Sequence, residues 1–197
     1  MSLDLSAVNA VLIMSTQDSS RIFAKYYTPP HLPASNAHGS SSAANPYATL
    51  KEQQAFEKGL IEKTNKSASE VILYDNRVVV YKAESDVMLY VVGAADENEI
   101  LLHQVVTSLR DSLNQLLRAI DKRTILENYD LVSLCVDEIV DDGIILETDA
   151  LLIASRVSKA PAQDPVNMKS IDLSEQGLLN AWEFGKRRLA EQLRQGL

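Results

Sequence analysis

A single cysteine, Cys135, stands in the 197 residues, so no disulfide can close within the chain and a reducing, cytosolic setting is expected. Basic residues are outnumbered. Nineteen Lys and Arg face 27 Asp and Glu, a formal net charge of -8. General nucleic-acid binding needs cations to neutralise phosphates, so this balance argues against it. No apolar run approaches the roughly 20 residues that cross a bilayer. Met1-Ser2-Leu3-Asp4 lacks the basic and then apolar layout of a secretory leader. A soluble protein is expected, meeting membranes through partners or an amphipathic surface.

Catalytic signatures are equally scarce. The seven glycines are scattered and none opens a helix after a strand, so no phosphate-cradling loop is present. The Gly-x-Ser-x-Gly nucleophile elbow does not occur. His31 and His38 fall in a Pro/Ser-rich stretch with no third ligand spaced beside them, and they read as solvated loop histidines. His103 sits at a helical position without an evident nucleophile, as a surface or core-edge residue would. Asp137-Glu138 and Asp141-Asp142 lack the alternation of a calcium loop. Cys135, in the most apolar helix, reads as a small hydrophobe. No catalytic residue, cofactor or metal is expected; the residues point to a protein-binding module.

Periodicity supplies the fold. The longest signal runs from Asp96 to Ile120, where Ile100, Leu102, Val105, Val106, Leu109, Leu113, Leu116, Leu117 and Ile120 recur at helical spacing opposite a polar face. Asp96 with Glu99 has the form of a capping box that would open it. Val8 to Met14 and Arg21 to Tyr27 are β-prone runs around the turn formers Ser15 to Ser20, an antiparallel hairpin whose first strand is internal because both its faces are apolar. Residues 28–45 lose periodicity and read as a mobile insertion. Asn45-Pro46 then opens a helix to about Lys66, with Leu50, Phe56 and Leu60 on its buried side. Two strands flank Asp75-Asn76, residue types that tolerate the positive φ of a two-residue hairpin, and Met88 to Gly93 forms the next strand of the meander.

Thr124 and Glu127 suggest a second capping box, opening a helix over 125–142 that is apolar nearly all round and hence buried between layers or turned to a partner. Asp137, Glu138, Asp141 and Asp142 crowd its end, against the helix dipole; a cationic neighbour or, preferably, a solvated corner would relieve this. Gly143 suits the C′ position after the helix. Ile144 to Leu146 is a short extended piece, and Thr148-Asp149 caps a last turn or two. Residues 158–170, with Pro161 and Pro165, read as a linker to an amphipathic helix over 171–197. Its stripe is Leu178, Trp182, Leu189 and Leu193. Lys186, Arg187, Arg188 and Arg194 are nearly balanced by Glu175, Glu183 and Glu191, which favours docking on protein over contact with a membrane surface. The order β-β-α-β-β-β-α-α is that of an α+β sandwich: a five-stranded antiparallel sheet with helices on both faces, plus the C-terminal helix.

This order of elements resembles a longin-like domain. The opening Ala7 to Met14, Arg21 to Tyr27, Lys51-Glu52-Gln53 with Phe56-Glu57, and Asp96 to Ile100 before the long helix are similar to the small (sigma) subunits of clathrin-adaptor complexes. Glu127 to Val132 and Val136 to Asp149 resemble, more narrowly, the coatomer zeta branch of that family. The resemblance covers residues 5–157. It implies a non-enzymatic subunit of the COPI coat that pairs with the trunk of the coatomer gamma subunit, joins the other coatomer subunits, and reaches Golgi membranes through an Arf-family GTPase. It also gives the apolar helix a reason, since a large helical trunk would cover its face. The interface residues expected on that basis are Tyr129, Val132, Val136 and Ile139, with Leu178, Trp182 and Leu189 from the C-terminal helix. The alternatives are a sigma-type chain that helps bind dileucine sorting signals, a membrane-surface module acting through 171–197, and, discounted, a longin-domain SNARE, whose heptad-repeat helix and membrane anchor are not expected after Val157.

Overall fold

The computed structural model describes residues 7–27, 47–65 and 69–158. Their order is β1 (Val8–Ser15), β2 (Arg21–Tyr26), α1 (Leu50–Thr64), β3 (Val71–Tyr74), β4 (Arg77–Glu84), β5 (Val87–Ala94), α2 (Glu99–Leu116), α3 (Lys122–Glu127), α4 (Tyr129–Ile139), β6 (Val140–Asp141), β7 (Ile144–Ile145) and α5 (Ala150–Val157). The first five strands form one sheet in the order β2-β1-β5-β4-β3, with every pairing antiparallel. β1 is internal, as its two apolar faces require, and β5 lies at the centre. The expected linker and helix over 158–197, and the insertion over 28–45, lie outside the described residues apart from Ser158, the C-cap of α5.

Side-chain alternation divides the apolar residues between the two sheet faces. Ala10, Leu12, Met14, Val79, Tyr81, Met88, Tyr90 and Val92 meet Phe56, Leu60 and Ile61 of α1. Val11, Ile13, Val78, Val80, Leu89 and Val91 meet α2 and α4 on the other side. The register shifts between Val8 and Ala10, opposite β5, so Val8 shares a face with Val11. Asn9 within this bulge ties in two neighbours: its carbonyl accepts from the Tyr27 amide at 2.8 Å, and its side-chain oxygen accepts from Arg77 at 2.9 Å.

Helix starts differ from several of the expected ones. α1 begins at Leu50, with Thr49 and Glu52 forming a capping box, and Leu50 is exposed. The sequence reading chose Asn45-Pro46 on the proline signal, but a Ser/Thr residue followed three positions later by Glu was the stronger one. α2 is capped by Asn98, whose side chain accepts from the amides of Ile100 and Leu101, rather than by Asp96. Ile100 therefore falls in the first turn and faces outward, off the expected apolar stripe. The expected helix over 125–142 is two helices. Asp121 caps α3 by accepting from the Thr124 amide, so Thr124 is inside α3 and its box with Glu127 does not form. Asp142 and Gly143, at φ 46 and 80, make the turn of a small β6–β7 hairpin; Gly143 is not a helix C′ residue. The turn between β3 and β4 is as expected, with Asp75 and Asn76 at φ 51 and 56.

Candidate protein-docking face

On the α1 side, the sheet and helix are fastened by buried polar contacts. Glu57 of α1 is 2% exposed and accepts from Arg21 of β2 through both carboxylate oxygens, at 2.9 and 2.6 Å, and from the Tyr26 hydroxyl at 2.8 Å. Burial first, and then the Glu57 carboxylate, drive the Tyr26 hydroxyl far above its ordinary range. Tyr47 donates to Asp75 at 2.7 Å, and Thr64 shares a 2.6 Å hydrogen bond with Tyr90. A buried carboxylate with all its partners is costly to disturb, so this face is closed.

The other side is built in three layers: the sheet, then α2 and α4, then α5 packed against both helices through Ile153 and Ala154. Ser108 of α2 donates to the Thr148 carbonyl at 2.6 Å, fixing the approach to α5, and Asp149 caps α5 through the amides of Leu151 and Leu152. Val132, Val136 and Ile139, expected at a partner interface, are buried in the chain's own core beneath β1. At the period of 3.6 they share α4's inner side, which the sheet already covers. Tyr129 is the exposed member of that set, 43% accessible and stacked on Phe23 with ring centroids 5.7 Å apart. Leu178, Trp182 and Leu189 lie outside the described residues.

The outward side of this stack carries apolar residues that the sequence reading placed in the core or did not single out for contact. Leu126 of α3, Leu134 of α4, Leu146, and Leu151 and Leu152 of α5 are all exposed, Leu151 to 70%. Arg156 reaches Glu138 at 3.4 Å and Glu147 at 3.6 Å, joining α5 to α4. Leu134 lies one turn before Glu138 and Leu152 one turn before Arg156, so leucines flank that ion pair. The same segments expose the carboxylates of Glu127, Asp130, Asp141, Asp142 and Asp149. Backbone amides of Asp149 and Thr148 hold the Glu147 carboxyl below its usual range. The expected conflict at the end of α4 is settled by cations as well as by solvent: Lys25 pairs with Asp137 at 2.6 Å and Arg156 with Glu138, while Asp141 and Asp142 are solvated. The missed signal was the separate apolar sets on α4 and α5, legible once the helices have their true bounds.

An open depression of about 470 Å³ is lined by Asp86, Lys122, Arg123, Leu126 and Glu127. Its cations are already engaged. Lys122 donates to Asp18 at 2.6 Å and Arg123 to Glu127 at 2.7 Å. Cys135 is wholly buried, and that burial pushes its thiol up to about 12, unsuited to nucleophilic chemistry. Among the described residues no cluster of His, Cys, Asp and Glu is arranged to hold a metal, and no helix is long and apolar enough to cross a membrane.

Comparison with known proteins accords with this build. Residues 7–164 match the model of the clathrin adaptor complex small chain family. The coatomer subunit zeta of Saccharomyces cerevisiae is 44% identical over 197 residues, covering 100% of this chain and 99% of its own. Human coatomer subunit zeta-1 is 39% identical over 168 residues, 85% of each chain. Among solved structures, a chain in a homology model of the full-length AP-3 complex in a stretched open conformation superposes with a TM-score of 0.55 at 16% identity, over 76% of this chain and 90% of that one, a likeness of fold. The longin-like architecture expected from the order of elements is therefore present, and the chain belongs to the clathrin adaptor small-chain family, among the coatomer zeta subunits.

Proposed function

We propose that this chain is a structural subunit of the COPI vesicle coat, and that the outer α4–α5 face is where it docks on the trunk of the coatomer gamma subunit. The family is one of coat subunits and not of enzymes. Through that pairing the chain is carried, with the other coatomer subunits, to the cytosolic face of Golgi membranes by an Arf-family GTPase. There it serves Golgi-to-ER and intra-Golgi transport.

One observation carries the docking: Leu134 of α4 and Leu151 and Leu152 of α5 are exposed on two helices that pack against each other, in segments that also expose several carboxylates. A contiguous apolar surface rimmed by charge is the form of a protein-binding patch. These acids select a partner face with apolar side chains at its centre and Lys or Arg at its rim. Tyr129 extends the patch toward β2. The stripe of Leu178, Trp182 and Leu189, with residues 171–197 as a separate amphipathic helix after the 158–170 linker, is proposed as a second contact with the coat. Cargo binding of the sigma type gains less support, because Lys122 and Arg123 beside the open depression are spent on internal acids.

Co-expression of the intact chain with the gamma trunk, followed by size exclusion and a subunit ratio, tests the reading. Co-elution at one to one is expected. A solitary, well-behaved chain that ignores the trunk would contradict it.

A further inference from the structure

A second apolar surface lies away from the α4–α5 face, along the outer edge of β3. Among the described residues this strand pairs on one side only, with β4. The hairpin turn at Asp75-Asn76 fixes which backbone groups face out. In a two-residue hairpin the residues next to the turn, Tyr74 and Arg77, exchange hydrogen bonds, and the pattern alternates from there. Ile72 and Glu70 therefore point inward, as the 2.9 Å bond from the Tyr81 amide to the Glu70 carbonyl shows. Val71 and Leu73 point their amides and carbonyls outward. Ser69 covers the pair at Val71: its hydroxyl donates to the Val71 carbonyl at 2.7 Å and accepts from the Val71 amide at 3.2 Å. The corresponding groups of Leu73 have no hydrogen-bond partner among the described residues.

Side chains reinforce the edge. Val71 and Leu73 stand on the α2 side of the sheet, opposite Val80 and Val78, and Leu73 is 67% exposed. α2 runs above β4. It starts where Leu102 packs so closely on Gly93 that a Cβ there would collide, and it reaches Glu84 through Arg110. Ile100, His103, Thr107 and Arg110 share one flank of α2 by helical spacing. That flank is turned to β3, because His103 Nε2 lies 3.2 Å from Glu70 Oε2. Ile100, 81% exposed, stands one turn earlier, toward the Leu73 end. Among the described residues, an uncovered trough thus has Val71 and Leu73 on one wall and Ile100 and His103 on the other. Exposed Asp96 and Glu99 flank its α2 end, while Glu70 at the other end is already paired with Lys82 at 3.2 Å. Edge strands are normally blunted by charge or proline against unwanted pairing, and this one keeps a leucine at its open position.

We propose that the β3 edge binds an extended segment of another protein as an added strand. That segment offers one or two apolar side chains to the trough and carries Lys or Arg at the end that meets Asp96 and Glu99. Backbone pairing begins at Leu73, and displacement of the Ser69 hydroxyl extends it to Val71. Asp96 and Glu99 at the α2 end of the trough set the preference for a basic flank on the added strand.

The test uses the intact chain and the blocked peptide Lys-Lys-Val-Thr-Val-Thr-Val-Lys-Lys, with the same peptide N-methylated at every central residue as control. Amide NMR titration and hydrogen exchange are the readouts. Saturable binding below about 1 mM is expected, with shifts centred on residues 69–75 and 100–103 and slowed exchange at Leu73. Leu73→Lys and Ile100→Glu, both at exposed positions, should each weaken binding about tenfold while leaving the remaining amide spectrum unchanged. Equal binding of the methylated control would show charge adhesion and overturn the proposal, as would no binding, or shifts centred on α4 and α5. A dimer that Leu73→Lys abolishes would assign the edge to a second copy of this chain and overturn it too.

Discussion

The two faces of the sheet are finished differently. On the α1 face, one helix covers the strands and polar groups lock it: Arg21, Tyr26 and Glu57 form a buried cluster, and Tyr47 with Asp75 and Thr64 with Tyr90 close its margins. On the opposite face α2 and α4 cover the sheet with an apolar layer, and α5 lies over both. The α1 face ends in hydrogen bonds between its helix and the sheet margins. The three-layer face ends in leucines. A face tied down by internal hydrogen bonds has less to offer a partner, even with the buried Tyr81 hydroxyl left without a hydrogen bond among the described residues, whereas apolar side chains on an outer layer gain from being covered. The difference is what favours the proposed docking surface on the α4–α5 side.

The contrast can be broken most sharply within α4. Ile139→Ala, on the inner side, should cost about 2–5 kcal/mol by the loss of buried methylenes and the cavity left behind. Leu134→Ala, on the outer side of the same helix, should change stability by less than about 0.5 kcal/mol. Urea unfolding of the two variants gives both numbers, and equal losses would place Leu134 in the core. On the α1 face, Glu57→Ala strands the Arg21 guanidinium among half-buried neighbours and should destabilise by about 3 kcal/mol, the range for breaking one partner of a buried pair. A loss no larger than that of Leu134→Ala would mean the cluster is not a lock. Removing the α1 cap with Thr49→Ala should cost about 1 kcal/mol, read from the same unfolding curves.

Smaller effects come from the titrating groups. Cys135, with its thiol pushed up to about 12 by burial, should resist iodoacetamide at pH 8 in the native chain and react on unfolding in urea. Prompt native alkylation would show that the α4 core opens readily. Asp18, held well below the ordinary carboxylate range by the Lys122 ammonium and then by the Ser15 and Ser20 hydroxyls, is deprotonated more readily folded than unfolded. Its contribution to stability is therefore present above about pH 4 and fades as the pH falls through the lowered folded value. Lys122→Gln should bring the Asp18 titration, followed by carboxyl NMR, back toward the ordinary range.

Much of this was legible in the sequence because strands and turns are written locally. Alternation and Asp75-Asn76 specify the β3–β4 hairpin, and the doubly apolar runs of β1 and β5 require internal strands. Helix ends were less legible. Competing cap signals lay within a few residues of one another, Asp96 against Asn98, Asn45 against Thr49, and Thr124 against Asp121, and only the folded path decides which side chain reaches the amides. The residues of the proposed docking face were obscured for a related reason. One helix over 125–142 looks apolar all round, and no local pattern says which part the sheet will cover. Once α3 and α4 separate and α5 packs alongside, Val132, Val136 and Ile139 turn inward, while Tyr129 and Leu134 stay outside.

The central claim, that the outer α4–α5 face carries the coat contact, is tested most directly by titrating the gamma trunk with the intact chain and with the double variant Leu134→Asp/Leu152→Asp. Both positions are exposed, so the variant should fold as the parent does. The account predicts that affinity for the trunk falls by about a hundredfold or more, two buried apolar anchors having been replaced by charges in an already acidic surround. Undiminished affinity in a folded double variant would contradict it.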